Sequence, residues 1–544
     1  DAERLDGVLA VLTGEDVAAD GLGGLGIRGL PPGFGGPDAF WPTRPLLAAD
    51  RVRYVGEPVA LVIAETIDAA KDAAELVEVG YDILPAAATP DAAISPSATA
   101  IWDGAPGNIS FRYEVGDAAA VDAAMEAAAH VVGVSVVNNR LSANPMEPRG
   151  AIGQYDPVDD RYTLRTSGQN PHRVRELLAD TVFGIPETDL RVVAGDVGGG
   201  FGMKGPAFPE EALVLWAARR VGRPVKWIAD RSESFISDAH ARDQIWQAEL
   251  ALDGDGKILA VRASADFALG AYLVGNSHVT TLLATEILPS VYRCPAVHIA
   301  MRGIFTNATS TSPYRGAGQP EAIYVMERLI ERAAEATGIS SEDIRRRNYI
   351  EPQAMPHTTL TGQIYDGGEF DAVTDKAILL ADRSGFADRR KETEEAAKLR
   401  GFGFSYFIEI TAIQGDRMEI RFDPSGAVTI LAGTFSHGQG HDTVFPQLVA
   451  EWLGVAMDRI RLVQGDTDRV AYGRGTFASR SMTIGGSALR AAADEVIAKG
   501  RRVAGHLLEA AVDDIEFADG RFTVAGTDRS VTIGQVAREA HAPM

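Results

Sequence analysis

The chain has 544 residues, 46% of them hydrophobic, with a net charge of −23 and a single cysteine, Cys294. At roughly 150 residues per domain this length implies three or four cores, and the hydrophobic content is enough to fill them. The acidic balance argues against a DNA or RNA partner, because such binding needs clustered Lys and Arg, and one cysteine can build neither a disulfide framework within the chain nor a four-thiolate iron–sulfur site. No apolar run approaches the roughly 18 residues of a membrane span, so a soluble, cytoplasmic protein is expected. The sequence opens at Asp1, inside what reads as an element around Gly7–Thr13 and without an initiating Met. A processed or incomplete N-terminus is therefore expected.

In chain order, the Gly- and Pro-rich stretch 21–45 reads as irregular. Pro58–Ala64 reads as a buried strand, Thr66 as an N-cap and Asp68–Val77 as a helix, and the alternation from Val77 to Leu84 predicts a half-buried strand. A helix is expected over Ala118–Ala129. After it, strands at Tyr162–Thr166, Leu190–Ala194 and Val225–Ile228 alternate with helices at Arg173–Val182 and Glu210–Val221. Trp246–Leu252 and Ile258–Ala265 flank Asp253-Gly254-Asp255-Gly256 as a long hairpin. Glu321–Thr337 reads as an amphipathic helix stopped by Gly338. Beyond Gly401 the theme recurs: strand Met418–Phe422, turn, strand Val428–Ala432, glycine-rich turn, helix Val444–Leu453. Similar order in two successive segments implies related lobes facing one site.

The chemistry is concentrated in loops. Gly195-Asp196-Val197-Gly198-Gly199-Gly200-Phe201-Gly202-Met203-Lys204-Gly205 directly follows a strand-like run. Its bare backbone N–H groups can wrap an anionic or heteroatom-rich ligand. A phosphate-binding P-loop would need Gly-Lys-Ser/Thr here, and the dinucleotide fingerprint a differently spaced third glycine. Taken alone, a tight turn with Phe201 in the core is the more ordinary reading. Polar, glycine-bearing turns recur in four further segments, Ser167-Gly168-Gln169-Asn170-Pro171-His172, Ser312–Glu321, Ser436–Thr443 and Gly475–Thr483. The ordinary alternatives are a loop-satisfying Gln169, a surface ion pair for Arg315 and a capped, solvated helix start at Ser479–Thr483. Arg315 beside Gly316 and Gly318 already favours an anion site. No Ser-His-Asp, Cys-His or His-Glu-x-x-His pattern points to a hydrolase.

Taken in order, with Asn144-Pro145-Met146-Glu147-Pro148, Arg345-Arg346-Arg347-Asn348 and Tyr365-Asp366-Gly367-Gly368, these segments resemble the molybdenum-binding subunit of the xanthine dehydrogenase and aldehyde oxidase family. The resemblance runs almost end to end. It implies an α+β fold: a hammerhead-like N-terminal α/β domain (1–116) and two related α+β molybdopterin-binding lobes (117–400 and 401–544). It also implies molybdopterin cytosine dinucleotide with molybdenum as cofactor, and a heteromeric complex in which electrons pass to iron–sulfur clusters and FAD on partner subunits. By resemblance, Gly199, Gly200, Phe201 and Gly202 lie against the molybdopterin, Gln169 hydrogen-bonds an oxygen ligand of the metal, and Arg315, Gly316, Ala317, Gln439, Gly440 and His441 contact the cofactor. Ser479, Arg480, Ser481 and Thr483 supply hydroxyl and guanidinium groups suited to a pyrophosphate. Phe201, Met203, Tyr314 and Arg315 line the substrate cavity, and no side chain of this chain ligates the metal.

Departures from family patterns narrow the substrate. Carbon monoxide-oxidising members place a cysteine after the Tyr-Arg pair, where this chain has Gly316, and purine-oxidising members place a glutamate after the loop lysine, where it has Gly205. An aldehyde or an aromatic N-heterocycle is expected. The family's general base, a glutamate in a Gly-x-Gly-Glu turn, has no counterpart here, and Glu539 reads as a solvated helix charge. The base is expected beyond Met544. The rival readings are a subunit that holds cofactor without turnover and an unrelated glycine-loop nucleotide-binding protein.

Overall fold

The computed structural model describes residues 1–411 and 413–542. Near the N-terminus, Val8–Thr13 pairs antiparallel with Ala60–Ala64, and Ile67–Glu75 forms a helix whose start is capped by the Thr66 hydroxyl, which accepts from the Ala69 N–H at 3.2 Å. Such a cap satisfies one of the free donors of a first helical turn. The stretch 21–45 is irregular apart from the bridge between Leu25 and Arg44. The strand expected over Val77–Leu84 is not formed. That segment has no strand partner among the described residues, and Val79, Tyr81, Ile83 and Leu84 are all exposed. Alternation specifies a strand only where a neighbouring edge and a buried face exist to receive it.

The largest core lies against a five-stranded sheet whose order is Ile109–Gly116, Val297–Phe305, Ile258–Gly270, Gln244–Leu252 and His130–Asn138. The long hairpin is present, with Gln244–Leu252 and Ile258–Gly270 in antiparallel register. Alternate side chains of these strands, among them Trp246, Phe267 and Met301, bury against the helix Gln319–Thr337 through Met326, Leu329 and Ile330. Gly338 ends that helix at φ +70°, a left-handed conformation that glycine adopts without penalty. Because Ile109–Gly116 pairs with Val297–Phe305, it belongs to this sheet.

Two smaller sheets share one plan. In the first, Gly150–Asp156 forms a hairpin with Arg161–Thr166, a loop carries Gln169 into the helix Pro171–Leu177, and Leu190–Val193 returns parallel to Arg161–Thr166. The glycine loop and the helix Pro209–Val221 follow. In the second, Met418–Phe422 forms a hairpin with Val428–Ala432, a loop leads to the helix His441–Leu453, and Ile460–Val463 returns parallel to Val428–Ala432. A second loop, 464–480, then leads through a π-turn to the helix Ser487–Leu507. The two units meet where these return strands end. Val193 bridges Asp466, the Ala194 N–H donates to the Gly465 carbonyl at 2.8 Å, and Arg161 and Arg191 pair with Asp468 and Asp466, each at 2.7 Å.

Candidate functional site

Joining the units edge to edge brings the two loops of each into one cleft of about 880 Å³. The first unit contributes Gln169, Phe201 and Gly202, and the second contributes His437–Gln439, His441 and Thr476–Ser479 with Ser481 and Met482. A third wall is the turn Pro313–Ala317 ahead of the helix Gln319–Thr337.

Backbone geometry concentrates at these walls. Phe201, Ala317, Ala478 and Ser479 all have positive φ, between 46° and 57°, although none is glycine. Such residues each cost of order 1–3 kcal/mol and persist only where the surroundings dictate them. The surroundings here are specific. A Cβ on Gly202 would fall 2.2 Å from the Pro313 carbonyl, and the Arg315 N–H donates to the Phe201 carbonyl at 2.9 Å. Arg242, paired at 2.7 Å with the buried Glu321, donates to the Arg315 carbonyl at 3.0 Å and holds that turn.

Gln169 joins the units. Its Oε1 accepts from the Gly202 N–H at 2.8 Å and its Nε2 lies 3.3 Å from His437 Nε2. Burial depresses the affinity of both His437 and His441 for protons, and His437 Nε2 also lies 3.4 Å from the Thr476 carbonyl. Gln439 folds back on its own loop, its Oε1 accepting from the His437 N–H at 2.7 Å. His441 is 3% exposed, its Nδ1 is 3.2 Å from Gln464 Oε1, and its Nε2 has no partner among the described residues. Gly440 starts the His441 helix in the left-handed conformation, at φ +74°.

Both units fasten their second loop in the same way. Lys204, 1% exposed, donates to Glu147 Oε2 at 2.8 Å, and the same oxygen accepts from the Gly198 N–H at 2.7 Å, so one carboxylate ties both ends of the glycine loop. Arg480 pairs with Asp416, both fully buried, and also donates to the carbonyls of Gly475 and Gly415, each at 2.8 Å. In each case the carboxylate stands just ahead of its unit's first strand.

Not all of the sequence-predicted site residues reach the cleft. The Arg480 guanidinium is consumed by Asp416 and loop carbonyls and does not face the cleft. Met203 is 1% exposed and packs with Phe208 and Ala239 in a small core, not in the cavity. Gly199 and Gly200 lie behind the wall, where a Cβ on Gly200 would strike the Gln169 side chain at 2.4 Å. Thr483 points back to the Ser479 carbonyl at 3.3 Å. Gly440 is not itself in the wall but sits between Gln439 and His441, which are. Phe201, Tyr314, Arg315, Gly316 and Ala317 line the cavity, with Gln169, Gln439, His441, Ser479 and Ser481. Arg345 of the arginine-rich stretch is structural, fully buried on Glu327 at 2.8 Å. Sequence reasoning missed Glu409, Phe477 and Met482 in the same wall. Only the strand-like alternation around Glu409 could have flagged it.

These residues fit a large, anionic, heteroatom-rich group. His441, whose Nε2 is orphaned, Arg315, Ser479 and Ser481 all border one volume, and His441 begins a helix, whose N-terminal end attracts phosphate. Among the described residues there is no group of three or more His, Cys, Asp or Glu that could hold a metal ion.

Residues 1–85 match the aldehyde oxidase and xanthine dehydrogenase a/b hammerhead domain, and residues 101–349 and 379–543 match two molybdopterin cofactor-binding domains. The chain is 33% identical to the 6-hydroxypseudooxynicotine dehydrogenase complex subunit gamma of Paenarthrobacter nicotinovorans, covering 99% of this chain and 68% of the relative. It is 32% identical to the carbon monoxide dehydrogenase large chain of Hydrogenophaga pseudoflava, covering 99% and 70%. Among solved structures, quinoline 2-oxidoreductase from Pseudomonas putida 86 superimposes with a TM-score of 0.92 at 35% identity, covering 99% of this chain and 70% of that one.

Proposed function

The chain belongs to the molybdenum-binding large subunits of the xanthine dehydrogenase and aldehyde oxidase family, and on that premise we propose that it hydroxylates an aromatic N-heterocycle or an aldehyde with oxygen from water. The observation that carries this reading is the convergence of loops from two equivalent units on one cleft, with Gln169 hydrogen-bonded to both. We assign the cofactor as molybdopterin cytosine dinucleotide. Gln169 and the backbone around Phe201 and Gly202 hold its metal-bearing end, while Ser479, Ser481 and the first turn of the His441 helix take its phosphates. When bound, the group supplies two-electron oxidation and activates water near neutral pH. The chain's own contribution is placement. Phe201 and Tyr314 flank the substrate, Arg315 holds negative charge, and Gln169 donates from a neutral amide that does not compete as a ligand.

We further propose that the electrons leave to an iron–sulfur subunit and an FAD subunit, a reading supported by likeness to relatives named as one subunit or large chain of a complex. Residues 1–544 contain no Gly-x-Gly-Glu turn. Gly316 and Gly205 speak against carbon monoxide and purines. Likeness to proteins named for quinoline and 6-hydroxypseudooxynicotine supports a nitrogen heterocycle. The test is metal and nucleotide analysis of the complex purified with its partner subunits, followed by dye reduction with candidate substrates. Stoichiometric molybdenum, released cytidine nucleotide and dye reduction by pyridine-type compounds or aldehydes are expected. Absence of molybdenum, or reduction by xanthine or carbon monoxide alone, would overturn the reading.

A further inference from the structure

We propose that Glu409 is the substrate-orienting carboxylate of the cleft and that it selects substrates presenting an N–H group or a cationic nitrogen. This rests on the function proposed above and concerns the same cavity.

Glu409 belongs to an extended stretch, residues 402–411, that crosses from one lobe to the other without strand pairing. Its backbone is pinned by side chains of the first lobe. The Tyr406 N–H donates to Glu327 Oε2 at 2.9 Å, the Ile410 N–H donates to Gln319 Oε1 at 2.7 Å, and Arg345 donates to the Phe404 carbonyl at 3.0 Å. Phe404, Tyr406, Ile408 and Ile410 are half-buried, and Tyr406, Ile408 and Ile410 pack on the large core, while Ser405, Phe407 and Glu409 are exposed. In an extended chain successive side chains alternate between faces, so fixing Ile408 and Ile410 inward turns Glu409 outward, into the cleft that it lines. Gln319, which holds Ile410, also donates to the Gly316 carbonyl at 3.1 Å. Glu409 is thereby tied to the turn that carries Tyr314 and Arg315.

Among the described residues, neither the Glu409 carboxylate nor the Arg315 guanidinium makes a side-chain hydrogen bond or ion pair, although both line one cavity with Phe201, Tyr314 and Phe477. Of the lining residues, Glu409 alone is a carboxylate. An ionised carboxylate only accepts hydrogen bonds, so its partner must be a donor, and a charge-assisted bond to N–H or N⁺ is roughly twice as strong as a neutral one. The phosphates of a dinucleotide are also acceptors and anionic, so like-charge repulsion excludes them from Glu409. What remains is a planar substrate between the aromatic rings, its donor nitrogen on Glu409 and its acceptor side toward Arg315.

The experiment compares wild type, Glu409→Gln and Glu409→Asp in the complete complex. Molybdenum content is measured first. The dissociation constants of nicotine, cationic at neutral pH, and quinoline, neutral and without an N–H, are then measured by calorimetry on the reduced enzyme, and kcat and KM are measured for each. Glu409→Gln is expected to retain molybdenum and to weaken nicotine about tenfold or more, the scale of one charge-assisted bond, with the loss in KM rather than kcat. Quinoline should change less than about threefold, and Glu409→Asp should recover part of the nicotine affinity. Equal shifts for both ligands, no shift for either, or loss of molybdenum would overturn the assignment. If wild type binds neither heterocycle, the Glu409 assignment has failed; if it also reduces the dye with no pyridine-type compound and no aldehyde, the proposed function itself has failed, an outcome separate from a variant that matches an active wild type.

Discussion

The two β-β-α-β units that frame the cleft use the same fastening with different degrees of enclosure. In the second unit the Arg480–Asp416 pair is fully buried and surrounded by loop carbonyls. In the first, Lys204 is buried but the Glu147 side chain is 38% exposed. Burial pushes the Lys204 ammonium below its ordinary range, with Glu147 opposing the shift. A buried pair contributes little net stability but fixes geometry, because breaking it leaves an uncompensated charge. The second unit therefore holds its loop rigidly where phosphates are proposed to bind. The first holds its loop beside Phe201, where a substrate must enter.

That contrast predicts a graded series. Asp416→Ala should cost about 3–5 kcal/mol in urea unfolding of the complex, because it strands a buried guanidinium. A loss below about 1 kcal/mol would show that the second latch is not the stronger one. The next effect depends on pH. Glu211, on the helix that follows the glycine loop, is pushed up from 4.5 to about 7, chiefly by burial, while it accepts from the Thr166 hydroxyl at 2.5 Å and the Phe208 N–H at 3.0 Å. Its folded state keeps the proton longer than the unfolded chain does. The group therefore carries no penalty below pH 4.5, and its penalty grows to about 3 kcal/mol as pH rises to 7. Glu211→Gln should flatten stability across that window, read as a larger gain at pH 8 than at pH 5. The corresponding helix of the second unit buries Leu489, Ala493, Gly500, Ala504 and Gly505 and no acid, so this pH response should belong to the first unit.

Glu147→Ala comes third, at about 1–2 kcal/mol, since water reaches the site and Lys204 can shed its proton. A loss equal to that of Asp416→Ala would erase the distinction between the latches. Thr483→Ala, on an exposed side chain, should fall within about 0.5 kcal/mol of wild type by the same unfolding assay.

The same comparison explains what could be read from the sequence. The strand, turn, strand, loop and helix order was legible in the second unit because turn glycines and hydrophobic periods mark elements directly, whereas the first strand of the first unit, Gly150–Asp156, and the return strand Ile460–Val463 were not expected. The cleft-lining loops were legible through their glycines and spacing. Side-chain direction within them was not. Ser479, Arg480 and Ser481 alternate as polar residues in either case, and only the distant Asp416 decides that Arg480 turns inward. Met203 is diverted in the same way by Phe208 and Ala239. Val77–Leu84 carries a strand pattern but lacks a neighbour to pair with. Glu409 sits in an apolar stretch whose orientation depends on Glu327 and Gln319, residues some 80 to 90 positions earlier in the chain.

The central claim is that both units hold one cofactor between them, and molybdenum content tests it most directly. It should be measured in the purified complex for wild type, Gln169→Ala and His441→Ala, with unfolding midpoints recorded in parallel. Loss of a residue that orients such a group typically weakens its binding about 10- to 100-fold. Both variants should therefore fall well below wild-type molybdenum with midpoints unchanged. Full molybdenum in either variant would contradict a site shared between the two units.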